Sequence, residues 1–176
     1  MRLVLTDDLE LVRNTYIEVI DNTPLIYQHA RWEYGKHPTD GLIREHISRG
    51  EMYLLKDGEE VAGMVVVAMN QREDYSDIKW GVALADDEVA TVHMLCIRPS
   101  YRGRRLGTKI LEEVEDLACG AGKKAIRLDV LQTNLPAKKM YEQAGYIRRG
   151  EASLAVDLNG VLDFYYYEKV IVEKDG

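Results

Sequence analysis

A regular alternation of short apolar strands with amphipathic helices is the feature that most constrains the fold of this chain. The run VATVHMLCI at 89–97 is typical of a buried strand, whereas the apolar residues that follow Leu9 recur at helical spacing. The pattern predicts strands at 2–5, 89–97 and 124–131, a hairpin over 51–69, and two or three closing strands around an Asn159–Gly160 turn. It predicts helices from Leu9, at about 39–49, at about 103–119 and at 134–144, with irregular segments over 21–37 and 70–89. The order β-α-α-β-β-β-α-β-α-β-β predicts an α/β fold with a mixed sheet.

Composition limits the class of protein. The 176 residues, 46% hydrophobic and 30% charged, predict one globular domain over 1–176. Cys96 and Cys119 form neither a disulfide framework nor a metal-binding spacing, which favours a reducing compartment. No apolar run has membrane-spanning length and the first residues lack a signal-peptide core, so we expect a cytoplasmic protein. The net charge of −7 argues against nucleic acid as the main partner.

The segment RPSYRGRRLGTKI at 98–110 is strongly basic within this acidic chain. Its last residues resemble the first turns of a helix. Because a helix N-terminus carries a partial positive charge, each cation placed there lowers stability by a few tenths to about 1 kcal/mol. A bound anion would offset this cost, because free N–H groups at a helix start, widened here by Gly103 and Gly107, form a phosphate site. The segment lacks the Gly-Lys-Ser/Thr sequence of a loop that binds magnesium and a nucleoside triphosphate. It also lacks the Gly-x-Gly-x-x-Gly sequence of a dinucleotide-binding fold. A solvated basic turn is the alternative.

Two segments together resemble the GCN5-related N-acetyltransferase (GNAT) family: HMLCIRPSYRGRRLGTKILEEVE and IRLDVLQTNLPAKKMYEQAGYIRRG. The family's acyl-CoA loop, Arg/Gln-x-x-Gly-x-Gly/Ala, is matched at 102–107, with Arg105 in place of the central glycine. The second element is matched by Asn134, Tyr141, Gly145 and Tyr146. The specific resemblance covers about 91–150. It implies a GNAT-like domain with an acyl-CoA-binding core at about 89–150, a mostly antiparallel sheet of about 6–7 strands with a splayed central pair, and about four helices.

The resemblance also implies how acetyl-CoA, the expected cosubstrate, is bound. Backbone amides and side chains of one loop would hold the diphosphate: Arg102, Gly103, Arg104, Arg105, Leu106, Gly107 and Thr108. Leu95, Cys96 and Ile97 would line the pantetheine arm, with one backbone N–H polarising the thioester carbonyl. Asn134 would contact the cosubstrate near the pantetheine, and a helix N-cap is its compatible alternative role. No metal is expected.

Transfer of an acetyl group to an amine needs two proton movements, because the amine must lose a proton and the departing thiolate benefits from gaining one. Tyr141, at the position of the family's tyrosine, is the candidate proton donor and a cosubstrate contact; a packing role is the alternative. His93, in an otherwise apolar strand, is the candidate base because imidazole titrates near neutrality, and a structural histidine is the alternative. Asp129 is a weaker candidate base. Cys96 lacks a matched histidine–acid pair, so we expect direct transfer.

The acceptor site is predicted only by residue type. The segments 31–38 and 74–81 carry aromatic and acidic residues that would form an apolar slot favouring a cationic amine. The candidate acceptor contacts are Trp32, Tyr34, His37 and Trp80. The alternative is that these loops pack on their own domain. Lysine side chains, protein N-termini, polyamines, aminoglycosides and small amino compounds all remain open as acceptors.

Two other classes of function compete with the enzyme. A non-catalytic module that binds or senses acyl-CoA would use the same fold, but His93 and Tyr141 together favour catalysis. A nucleic-acid-binding domain would use the basic turn, but the turn has no interleaved aromatic residues. The tyrosine-rich segment DFYYYEKVIV at 163–172 is a candidate edge strand for contact in a homodimer.

Overall fold

A computed structural model describes residues 1–156 and 160–171, and it has a mixed α/β fold. The strands are β1 (Arg2–Leu5), β2 (Met52–Asp57), β3 (Glu60–Ala68), β4 (Val89–Ile97), β5 (Ala125–Leu131), β6 (Ile147–Ala155) and β7 (Val161–Val170). The helices are α1 (Leu9–Asp21), α2 (Ile26–Ala30), α3 (Asp40–Ser48), α4 (Leu106–Gly120) and α5 (Leu135–Gln143). The hydrogen-bonded strand order is β1-β2-β3-β4-β5-β7-β6.

The direction of the strands confirms the predicted mixed sheet. β1 with β2, β2 with β3, β5 with β7, and β6 with β7 all pair antiparallel, whereas β4 and β5 pair in parallel. The parallel register covers Val89–Thr91 and Ala125–Arg127, at the start of both strands. β4 itself runs on to Ile97, beyond this short register.

The chain divides into two compact units, of which the first contains Met1–Val67 and His93–Glu113. Asp8 caps α1 by accepting a hydrogen bond of 2.9 Å from the Leu11 amide. Val12, Tyr16 and Val19 then fall on one face of the helix, and all three are buried. They belong to an apolar core that also contains Ile43, Met52, Leu54, Val61, Met64, Val66 and Cys96. Helix periodicity and strand alternation therefore bury their apolar residues in one cluster.

The second unit contains Ala68–Val92 and the chain from Val114 onward. Its central strand β5 is apolar except for Arg127 and Asp129. β7 places Glu168 directly opposite Arg127, and both side chains are buried. Arg127 donates to Glu168 from two guanidinium nitrogens, over 3.0 and 3.1 Å. The unit is thus built around an apolar strand pair that contains a hydrogen-bonded ion pair.

Three predictions about the elements are wrong. The segment 21–37, predicted as irregular, contains the five-residue helix α2. The helix predicted from about 103 begins at Leu106. Strand β7 is not an edge strand, because β5 and β6 pair with its two sides. Of the predicted closing turn, Asn159 lies outside the described residues.

Candidate active site

The loop over 102–108 leads from β4 into α4. Two of its residues have left-handed backbone, Gly103 with φ +78° and Arg105 with φ +56°. A Cβ built on Gly103 has no atom within 4 Å, so the backbone there faces open space. Arg105 stands where the family pattern has its central glycine, and it adopts the conformation that glycine takes at least cost. Arg105 thus has a backbone conformation that a glycine at this position would also allow.

These left-handed residues explain why α4 starts later than predicted. Gly103 and Arg105 cannot continue a right-handed helix, so the first helical residue is Leu106. Arg104 and Arg105 therefore lie just before the first helical residue, beside the positive end of the helix dipole, rather than within the first turn. Lys109 does lie in the first turns of α4, and it pairs with Glu113 one turn later over 2.8 Å.

The basic residues of 98–110 divide into two groups. Arg98 pairs with Glu18 over 2.7 Å, and Arg102 donates to the Asn22 carbonyl over 2.9 Å. These two arginines, like Lys109, are engaged by the first unit itself. Arg104 lies over the ring of Tyr101 at 5.1 Å with its side chain exposed. Arg105 is exposed, and within the described residues its guanidinium has no ion pair.

The start of α4 adds backbone donors to this charge. The Lys109 amide donates to the Arg105 carbonyl over 3.2 Å, which closes the first turn of the helix. The amides of Leu106, Gly107 and Thr108 precede that bond and have no acceptor within the helix. Unpaired amides at a helix start, next to two exposed guanidiniums, form a site for an anion.

Strand β4 is irregular at Met94. This residue has φ +52°, which is left-handed and rare for a residue with a side chain. The Tyr16 hydroxyl, on α1, donates to the Met94 carbonyl over 2.8 Å. Leu95, Cys96 and Ile97 follow, of which Leu95 and Ile97 are half-buried. The backbone of the strand is therefore irregular immediately before the three residues assigned to the pantetheine arm.

Cys96 is 5% exposed, and burial raises the pKa of its thiol to about 12. A thiol with this pKa is protonated at neutral pH, whereas the thiolate is the form that attacks carbonyl carbons. The environment of Cys96 thus agrees with direct transfer rather than an acyl-cysteine. Its carbonyl lies 2.6 Å from a Cβ built on Gly63, so β3 approaches β4 at a position where only glycine fits.

The two residues assigned to proton transfer lie on different elements. His93 is half-buried in β4, one residue before Met94. Tyr141 lies on α5, 8% exposed, with its ring 5.9 Å from that of Tyr146 and 6.2 Å from that of Tyr167. Burial raises the pKa of Tyr141 well above its usual value, and the nearby Asp129 carboxylate adds to this. The phenol is protonated at neutral pH, as free tyrosine is, and its raised pKa makes it a weaker acid than free tyrosine.

Asn134 caps helix α5, because its side-chain oxygen accepts from the Ala137 amide over 3.3 Å. This confirms the alternative reading of Asn134 and leaves its amide nitrogen as a donor. Asp129, the weaker candidate base, accepts a short hydrogen bond from the Tyr75 hydroxyl. That bond gives Asp129 a structural role in its unit.

Three candidate acceptor residues belong to the first unit. The ring of Trp32 meets that of Tyr16 edge-on at 5.6 Å. The Tyr34 hydroxyl donates to Asp40 over 2.6 Å, and burial together with this carboxylate raises the pKa of Tyr34 to about 12. His37 is half-buried, and its carbonyl accepts from the Glu33 amide over 3.0 Å. The three aromatic residues thus lie on one irregular segment that is packed and hydrogen-bonded within its unit.

Trp80 belongs to the second unit. Its indole N–H donates to the Tyr75 carbonyl over 3.0 Å, and the Arg127 guanidinium lies over its ring at 4.4 Å. Trp80 is half-buried by these contacts. Its position therefore fits the alternative expectation, in which this loop packs on its own domain.

Two features of the structure were not predicted. The first is the bond from Tyr16 to Met94, because Tyr16 has the spacing of an ordinary core residue. The second is the Arg127–Glu168 pair, which joins a basic residue of β5 to an acidic residue of β7.

Two kinds of feature are missing from residues 1–156 and 160–171. No helix there is both long enough and apolar enough to cross a membrane. The same residues contain no group of three or more histidine, cysteine, aspartate or glutamate side chains placed to hold a metal ion.

Comparison with known proteins agrees with the geometry of the loop. A family model, Acetyltransferase (GNAT) family, matches residues 17–146. No curated protein matches the sequence. Among the solved structures that resemble the chain is YncA of Salmonella typhimurium, solved with its cofactor acetyl-CoA, with 15% identity, coverage of 100% of this chain and 96% of that one, and a TM-score of 0.68. A GNAT-family acetyltransferase of Listeria monocytogenes has 19% identity, coverage of 96% and 93%, and a TM-score of 0.69. A Bacillus subtilis acetyltransferase in complex with CoA has 13% identity, coverage of 97% and 99%, and a TM-score of 0.65. At these identities the likeness shows the fold alone.

Proposed function

The chain belongs to the acetyltransferase (GNAT) family, and on that premise we propose that it transfers an acetyl group from acetyl-CoA to an amine. The loop over 102–108 carries the proposal. It combines a glycine-like turn at Arg105, two exposed guanidiniums and the start of α4, which together suit a diphosphate. Two of the structural relatives were solved with acetyl-CoA or CoA, which supports the same ligand here.

The first unit would hold most of the cosubstrate. Amides of Leu106, Gly107 and Thr108 donate to the diphosphate, and Arg104 and Arg105 add charge-assisted hydrogen bonds. Arg102, engaged with the Asn22 carbonyl, shapes the loop rather than supplying free charge. Leu95, Cys96 and Ile97 line the pantetheine arm. Gly103 keeps the approach open, since no atom lies near its Cβ position.

Asn134 and Tyr141 are assigned to the cosubstrate by the family motif. Asn134 retains a side-chain donor after capping α5, and that donor would contact the pantetheine. Tyr141 would direct its protonated hydroxyl at the thioester sulfur. A bound acetyl-CoA supplies an acyl group on a good leaving group, activated for attack by an amine.

Direct transfer then requires the chain to move two protons. His93 accepts a proton from the attacking amine as the nitrogen–carbon bond forms. Tyr141 donates its proton to the sulfur as the carbon–sulfur bond breaks, so that free CoA leaves as a thiol. A backbone N–H of β4 stabilises the charge that develops on the carbonyl oxygen. The products are an N-acetylated amine and CoA.

The acceptor is proposed as a small-molecule or peptide amine. Trp32, Tyr34 and His37 supply aromatic surface on one segment, and Trp80 does so in the second unit. Charge favours a cationic acceptor, because the chain has a net charge of −7. We propose that the protein acts in the cytoplasm, since both of its cysteines are free. A homodimer remains a prediction. Measuring the mass of the protein in solution by light scattering tests it.

Titration with acetyl-CoA and a thiol-release assay over a panel of amines test the proposal together. We expect binding heat, thermal stabilisation and acetyl-CoA-dependent release of thiol with at least one amine. No heat and no stabilisation at millimolar acetyl-CoA would overturn the proposal. Binding without turnover on any amine would instead favour the non-catalytic module.

Tyr141→Phe tests the proton donor. We expect kcat to fall by roughly 10²–10⁴ because the departing thiolate loses its proton source. Affinity for acetyl-CoA, measured by calorimetry, should be nearly unchanged, since the aromatic ring stays in place. Tyr165→Phe is a matched control on β7, and it should leave kcat unchanged. An unaltered kcat in Tyr141→Phe would exclude the role.

A further inference from the structure

A buried tyrosine of α1 is hydrogen-bonded to the irregular residue of β4, Met94. Tyr16 is fully buried, and its hydroxyl donates to the Met94 carbonyl over 2.8 Å. The ring is fixed by the apolar core on α1 and by the edge-on contact with Trp32 at 5.6 Å. The hydrogen bond has ordinary length, and its donor ring is held in place by packing. It acts on a strand residue whose backbone is itself left-handed.

The bonded carbonyl belongs to the same peptide group as the Leu95 N–H. A peptide group is planar and trans, so its C=O and N–H point in opposite directions within one plane. Fixing the Met94 carbonyl therefore also fixes the direction of the Leu95 N–H. A donor on the carbonyl oxygen withdraws electron density across the group, which makes the N–H a stronger donor in turn.

Leu95 is also the first of the residues assigned to the pantetheine arm. An N–H at this place, next to His93 and Met94 on the strand, is suited to the oxygen of the thioester carbonyl. Negative charge grows on that oxygen as the amine attacks, and a donor that is already oriented stabilises it without reorganisation.

We propose that Tyr16 is a positioning residue for acetyl transfer: by donating to the Met94 carbonyl it orients and polarises the Met94–Leu95 peptide, whose N–H donates to the thioester oxygen. This inference rests on the proposed function. Burial raises the pKa of Tyr16 well above its usual value, so the phenol remains a donor throughout the working pH range. Tyr16 contacts no reacting atom and acts through the backbone.

The test is Tyr16→Phe, which keeps the ring and removes the hydroxyl. We expect kcat to fall about tenfold, less than the roughly 10²–10³-fold of losing a direct donor, with KM for acetyl-CoA unchanged. Isotope-edited infrared spectra of bound acetyl-CoA, labelled at the carbonyl carbon, should show the C=O stretch moving toward its value in free acetyl-CoA. Tyr53→Phe removes a half-buried phenol from β2 and should change neither.

A second variant keeps the inference testable if Tyr16→Phe fails to fold. Replacing Tyr16 with 3,5-difluorotyrosine keeps the shape of the ring and makes the hydroxyl a stronger donor, so the C=O stretch should move further from the free value. A purely structural role would lower the melting temperature and leave the stretch in place.

The outcomes separate the inference from the proposed function. Wild-type protein that neither binds acetyl-CoA nor turns it over overturns both. Wild-type protein that acetylates an amine, with kcat and the C=O stretch unmoved in both position-16 variants, overturns the inference alone. A change in kcat with no change in the stretch also overturns it, because polarisation of the carbonyl is what the inference requires.

Discussion

The loop over 102–108 and the connection over 70–88 differ in how they meet charged groups. In the connection, the Gly81 amide donates to Glu168 over 2.9 Å, and Gln71 accepts a short hydrogen bond from Arg127. The Val82 carbonyl accepts from the same guanidinium over 2.8 Å. In the loop, Arg104 and Arg105 keep exposed guanidiniums. The connection is hydrogen-bonded to the interior of its unit, whereas the loop holds two exposed cations available to a ligand.

The difference teaches which charges belong to folding and which to function. A buried charge is retained only with partners, because desolvation costs several kcal/mol, and the Arg127–Glu168 pair meets this condition. An exposed arginine next to a left-handed turn contributes little to the free energy of unfolding, so its placement is better explained by a bound anion. We therefore expect substitutions in the two regions to act on different quantities.

The largest effect is expected from Glu168→Ala in the second unit. Glu168 is buried and accepts from Arg127, from Arg149 over 2.9 Å and from the Gly81 amide. Its removal leaves a buried guanidinium without its carboxylate, and we expect urea unfolding to show a loss of about 3–5 kcal/mol. Glu45→Ala, which breaks an exposed pair with Arg49, is the control and should cost less than about 0.5 kcal/mol. Equal losses in the two variants would remove the contrast between buried and exposed charge.

Arg105→Glu should act on the ligand instead. We expect affinity for acetyl-CoA to fall roughly 10- to 100-fold, because a charge-assisted hydrogen bond is replaced by repulsion. Calorimetric titration at low and high salt measures this, and the loss should shrink as salt rises. Arg2→Glu, at an exposed position of β1, makes the same change of charge and should leave the affinity unaltered. A fall of equal size in both variants would point to net charge rather than to the loop.

The smallest effect is expected from Arg105→Gly, which tests the backbone conformation of the loop apart from its charge. Arg105 has φ +56°, so Arg105→Gly should raise the free energy of unfolding by about 0.5–1 kcal/mol by relieving left-handed strain. The same variant should bind acetyl-CoA a few-fold more weakly. Arg104→Gly is the matched control, because that residue has no positive φ, and it should lower stability. Destabilisation by both variants, measured by thermal unfolding, would show that the turn at Arg105 carries no strain.

Much of the fold followed from local pattern. The runs that became β2, β3 and β4 alternate or stay apolar over strand length, and Asn134 with Pro136 marked the start of α5. The start of α4 did not follow, because arginine has good helix propensity and gives no local sign of a left-handed backbone. The five residues of α2 are too few for apolar periodicity to be visible.

The site was less predictable than the fold for a related reason. The family motif indicated the anion loop, but residue type alone could not show that Arg102 bonds to Asn22 while Arg105 stays exposed. The Tyr16 hydroxyl finds its acceptor 78 positions away, and the Arg127–Glu168 pair joins residues 41 apart. Such contacts depend on tertiary packing and on strand register, which short sequence windows do not contain.

The unequal burial of the two cysteines has a practical consequence. Cys96 is 5% exposed with a thiol pKa of about 12, whereas Cys119 on α4 is half-exposed. The accessible thiolate adds to the C=C bond of a maleimide dye, so the native chain offers a single site for attaching fluorophores or spin labels without any engineering. Ligand-driven changes in the protein can then be followed by a reporter attached at one known place.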